Sequence, residues 1–212
     1  MIHFFISAQS EVGGRSLEHT LFEVGVRLGS PFIIHKNRSH IPCDASVVSI
    51  GKLGQAALGW RLLELPDALD SGCEQVCADG LDLWARREDE GIDVISGCAE
   101  LIGFRHEKSV APRDFDAFGR IPSSKHPLVQ AGVATRPLIE NNVKYIENRL
   151  AEIGHRYERI YPWGKSGKYV ACLSHDVDGS QLQTLFALSR SLTYALRGDR
   201  YEREFLELGV IN

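Results

Sequence analysis

The first fifty residues constrain the fold most, because their hydrophobic period switches from that of a strand to that of a helix and back. Residues 1–7 are apolar and alternating, as a strand is. Gly13-Gly14-Arg15-Ser16 then opens a helix with Ser16 as its N-cap; Leu17, Leu21, Val24 and Leu28 recur at helical spacing, and Gly29 stops it. Residues 31–35 and 46–50 read as two further strands, the second after a turn at Pro42 and Asp44. The order strand, helix, strand, strand predicts a small α/β layer. A strand, a glycine turn and a helix can cradle a phosphate, but the G-x-G-x-x-G spacing is absent, so a nucleotide is not expected there.

Further along, residues 53–65 read as a helix and 81–85 as a short strand. Ile92, Ile95, Ala99 and Ile102 share one face of a helix that ends near Phe104. Residues 113–137 carry glycines, prolines and charges without periodicity, the mark of a long ordered loop. Pro137 suits the first position of a helix whose stripe is Leu138, Val143, Ile146, Leu150 and Ile153, with Gly154 at its end. Gly164-Lys165-Ser166-Gly167-Lys168 reads as a turn. An apolar strand follows at 169–173, then helices at 181–196 and 201–208.

Composition excludes several function classes. Over 212 residues the net charge is −4 with scattered lysines and arginines, so no basic face for nucleic acid is expected. No stretch reaches the roughly 18 apolar residues of a membrane span, and the opening residues lack a basic leader, so a cytoplasmic setting is expected. Five cysteines, at 43, 73, 77, 98 and 172, have no disulfide-framework spacing and read as reduced thiols. Cys73 and Cys77 suit one face of a helix as half a metal site, with no second pair nearby to complete it. Of the histidines, His35 and His40 sit close together, while His3, His19, His106, His126 and His155 are isolated in sequence and read as solvated or satisfied side chains.

The chemistry concentrates in Ser174-His175-Asp176-Val177-Asp178, followed by Gly179. In a strand Asp176 and Asp178 point one way and His175 and Val177 the other. Two carboxylates side by side at a strand's carboxyl end repel each other unless a cation or a shared proton intervenes, and active sites of α/β folds collect at that end. Metal binding or general-base catalysis is one reading. The other is that one aspartate caps the next helix while its neighbour closes a turn.

This stretch resembles the polysaccharide deacetylase (NodB-like) family, in the branch whose first motif reads T-H-D-V-D, with Ser174 in place of Thr. The resemblance extends upstream over roughly residues 90–197: a D-x-x-G-R-x-P turn is matched by Asp116-Ala117-Phe118-Gly119-Arg120-Ile121-Pro122, and an R-P-L helix start by Arg136-Pro137-Leu138-Ile139-Glu140. It implies an accessory mixed α/β domain at residues 1–160 and, at 161–212, the first strand and helix of a partial (β/α) barrel. It further implies metal-dependent removal of acetyl groups from N-acetylated sugars, with one motif aspartate as general base and a second, with two histidines, holding a divalent ion, usually zinc. Gapless matching puts Asp176 at the base position and Val177 at the ligand position, which leaves Asp178 as the metal-binding carboxylate; the division of roles between the two stays open. The family's H-x-x-x-H pair has no match after Asp178. The expectation is therefore a truncated chain, inactive and without tightly bound metal by itself, with a carbohydrate substrate once completed and a tendency to self-associate through its incomplete barrel. The competing expectation is a glycan- or partner-binding module that keeps a relic of the motif.

Overall fold

The computed structural model describes residues 1–6, 14–53, 59–66, 72–89 and 91–160. The chain divides into two units, Met1–Gly167 and Lys168–Asn212, and the described residues all belong to the first. Strand β1 (Ile2–Ile6) precedes helix α1 (Gly14–Leu28), strand β2 (Phe32–His35), strand β3 (Ser46–Ile50) and strand β4 (Arg61–Leu65). These four strands form a parallel sheet in the order β2-β1-β3-β4. Next come β5 (Glu74–Ala78), β6 (Leu81–Glu88) and β7 (Gly91–Asp93), an antiparallel meander, then helices α2 (Val94–Ile102), α3 (Pro127–Gln130) and α4 (Leu138–Glu152). The fold is mixed α/β, with one parallel and one antiparallel sheet. No helix among the described residues is long and apolar enough to cross a membrane.

Strand alternation builds two cores on the parallel sheet. Ile2 and Phe4 of β1, with Val48, Ile50 and Leu65, bury against the α1 stripe Leu17, Leu21, Val24 and Leu28. Phe5 and Val47 face the other way, onto Ile41 and Ala45. The main core continues through α2 and α4, which pack on each other and on β6, so that Val76, Leu83 and Ala85 join Ile95, Ile146 and Leu150.

Asn142, fully buried on α4, ties these layers together. Its Oδ1 accepts the Trp84 N–H at 3.2 Å, and its Nδ2 donates to Trp84 O at 2.8 Å and to Val94 O at 3.3 Å. Every polar atom of the amide is used, as burial requires. Directly beneath, Gly97 of α2 lies so close to β6 that a Cβ there would sit 1.6 Å from Trp84 O.

Several expectations are corrected. Ser16 lies inside α1 rather than capping it; its carbonyl accepts from Thr20 Oγ1 at 2.8 Å, and its hydroxyl accepts from Arg105. Of residues 53–65, the last five form β4, because pairing with β3 offers this leucine-rich segment a sheet edge that outweighs its helical propensity. Cys77 lies in β5 and Cys73 just ahead of it, so the two do not share a helix face. The strand at 81 runs on to Glu88 because β7 pairs with its far end. Ile92 belongs to β7, and α2 begins only after Asp93, whose carboxylate caps it by accepting the Ser96 N–H at 2.9 Å. Pro137 stands immediately before α4. The expected turn at 164–168, the strand at 169–173 and the helices beyond lie outside the described residues.

A candidate metal centre in the connector after α2

Past α2 the chain reverses. Gly103 ends the helix and Phe104 adopts a left-handed conformation (φ 51°, ψ 29°), which starts a 3-10 helix at Arg105–Ser109 and turns His106 back beneath the last turn of α2. His106 is buried, with its Nδ1 3.3 Å from the carbonyl oxygen of Glu100. That distance suits an Nδ1–H donating to the carbonyl, which leaves the Nε2 lone pair free. The next residue, Glu107, is held by its own N–H bond to Phe104 O at 3.2 Å.

His126 comes from further along the connector. It follows a 3-10 turn at Ser123–Lys125 and occupies the cap position of α3, where its carbonyl accepts the N–H groups of Val129 and Gln130, both at 3.0 Å. The His106 and His126 rings meet edge to face with centroids 5.4 Å apart. His126 Nε2 lies 3.7 Å from Glu107 Oε1, too far for a hydrogen bond, and its Nδ1 is buried without a partner. One ligand atom from each of His106, Glu107 and His126 lies within 4.8 Å of the other two. Two imidazoles and a carboxylate are a donor set that suits zinc.

A second histidine pair is built differently. His3 Nδ1 and His35 Nε2 are 2.9 Å apart on the Phe5 face of the parallel sheet, the rings stacked at 5.1 Å. One nitrogen must carry the proton and the other accept it, so the pair is satisfied without a metal. Burial, together with the charge either histidine would present, holds the His3 pKa below its usual value; burial does the same at His35, helped by His40.

Asp176, Asp178, Ser174 and His175 lie outside the described residues. The two upstream motif segments are described. Asp116 Oδ1 accepts from the N–H groups of Phe118 and Arg120 at 2.8 and 2.9 Å, Oδ2 accepts from Arg120 Nε at 3.0 Å, and Gly119 turns the chain at φ +74°. The Arg120 and Phe118 N–H groups, with the Arg120 side chain, hold the Asp116 carboxyl below its ordinary pKa. At the second segment, Arg136 approaches Asp82 of β6 (3.6 Å) and Glu140 accepts from Arg27 of α1 (2.7 Å). The start of α4 is thus pinned to both neighbours.

The residues missed in sequence are His106, Glu107 and His126. The adjacent His106-Glu107 pair was the available signal, but its partner lies twenty residues on. No protein-family model, no curated protein and no solved structure matches the chain.

Proposed function

We propose that this chain is the N-terminal portion of a metal-dependent carbohydrate de-N-acetylase, with residues 1–160 as an accessory α/β module and 161–212 opening a partial (β/α) barrel. The observation that carries this reading is the order of the motif series, which runs from Asp116–Pro122 through Arg136–Glu140 to Ser174–Asp178. The hydrogen bonding of the first two segments supports it by giving their residue types a physical reason. Asp116 and Gly119 make a self-contained turn, while Arg136 and Glu140 anchor a helix.

In this reading Asp176 takes a proton from water as its oxygen adds to the amide carbonyl, and that proton passes to the departing nitrogen as the C–N bond breaks, leaving acetate and a free sugar amine. Asp178 is the carboxylate that would hold the divalent ion, zinc by preference; bound there, the ion supplies Lewis-acid polarisation of the amide carbonyl and acidifies a water. A cytoplasmic setting accords with the thiols of Cys43, Cys73, Cys77 and Cys98, all free.

The second reading is a non-catalytic glycan- or partner-binding module that keeps a relic of the motif. The discriminating experiment asks whether a segment with an H-x-x-x-H pair is encoded in the same reading frame or beside it, and assays acetate release from an N-acetylated oligosaccharide with and without that segment. The enzyme reading expects release only when both parts are present. Glycan binding by the chain, with no such segment encoded, would replace it with the binding module.

A further inference from the structure

We infer that His106, Glu107 and His126 form a divalent-metal site of their own, selective for zinc-like ions and independent of Asp176 and Asp178, which fastens the connector after α2 to the start of α3. The site stands whether or not the deacetylase reading does.

Coordinating capacity goes unused here. His106 is oriented by a backbone carbonyl through Nδ1, the arrangement that fixes the ring of a metal-binding histidine and leaves Nε2 as ligand. His126 has neither ring nitrogen in a hydrogen bond to the described protein, and its Nδ1 is buried. Two imidazoles and a carboxylate converge, and no hydrogen bond links the three side chains. Without a metal this arrangement leaves buried polar capacity unmet.

The spacing fits an ion. Tetrahedral ligands about 2.0–2.1 Å from zinc stand about 3.3–3.4 Å from one another, so ligand atoms already within 4.8 Å need only small side-chain rotations to close on an ion. His106 supplies a fixed, buried wall. The Glu107 side chain is 40% exposed and that of His126 25%, so an ion can enter and a fourth position stays open to water. Two imidazole donors disfavour magnesium and calcium, which prefer all-oxygen shells.

Chain topology gives the site a purpose. The three residues come from segments either side of the Asp116 turn, so an ion would close the intervening loop and restrict the unfolded chain as a cross-link does.

The test is titration of Zn²⁺ into the chelator-stripped full chain by calorimetry, with melting temperature as a second readout. Wild type should bind saturably and melt higher with zinc. Glu107→Gln, at a half-exposed position that leaves the fold intact, and His126→Gln should each weaken binding by at least about tenfold. Absence of saturable binding in wild type, or affinity unchanged in both Glu107→Gln and His126→Gln, would each overturn the inference.

Discussion

Replacing Gly97 by alanine should destabilise the protein although it improves a helix. An interior Gly→Ala change favours the helical state by about 1 kcal/mol. Against that, the new Cβ would stand 1.6 Å from Trp84 O, 2.7 Å from Trp84 C and 2.9 Å from Asn142 Nδ2, where real Cβ atoms keep at least 3.0 Å. α2 and β6 would have to part by about 1.4 Å, the difference between 3.0 and 1.6 Å. The Asn142 amide bridges both elements, so the movement breaks or stretches its bonds to Trp84 and Val94. Each such bond contributes about 1 kcal/mol, and each buried group left unpaired costs about 1–3 kcal/mol more. The net loss should be about 3 kcal/mol or greater, a fall of about 10 °C in Tm for a chain of this size. Gly25→Ala is the comparator. It gains the same helical propensity, and the three atoms nearest its Cβ all belong to the Phe32 ring, at 2.6–2.7 Å. A half-buried side chain has to give way there, not the backbone of a neighbouring strand, so the loss should be smaller than at Gly97. Urea unfolding followed by circular dichroism measures both. A Gly97→Ala variant as stable as wild type would refute the close contact between α2 and β6.

Stability should fall in mild acid, because burial lowers the pKa of His3, His35 and His155 from 6.5. The unfolded chain then binds protons the folded chain refuses, so this contribution is complete above pH 6.5 and is lost as pH drops through the lowered folded values, by at most about 1.4 kcal/mol per pH unit per proton. Urea midpoints across that range test it, and a flat profile would refute it. Asp116→Asn should speed amide hydrogen exchange at Phe118 and Arg120, whose N–H groups the carboxylate accepts; unchanged exchange would show the turn holds without it. Under the proposed function, Asp176→Asn and Asp178→Asn should leave Tm unchanged or slightly raised, since two carboxylates placed to share a cation repel each other without it. A loss of several kcal/mol in both would mark the pair as structural.

The beginning of the fold was legible because strand alternation and the Leu17, Leu21, Val24, Leu28 stripe record which faces are buried. β4 was not, since its leucines carry a helical propensity that only pairing with β3 overrides. Cys73 and Cys77 misled for the same reason: four-residue spacing has meaning on a helix and none on β5. The Asp116 turn was readable as a motif because an acid and a glycine are what such a turn needs. The convergence of His106, Glu107 and His126 was hidden by Phe104. A bulky residue at positive φ leaves no trace in a sequence, yet it turns His106 toward His126.

The most direct measurement for the central claim is the rate of acetate release from an N-acetylated oligosaccharide by the polypeptide that joins this chain to an H-x-x-x-H segment, compared between wild type and Asp176→Asn. A general base contributes about 10²–10⁴-fold. Release should be chelator-sensitive and should fall by that factor in the variant while the fold is retained. Release that is unchanged in Asp176→Asn, or none from the completed wild-type polypeptide in the presence of zinc, would contradict a role for this chain in sugar de-N-acetylation.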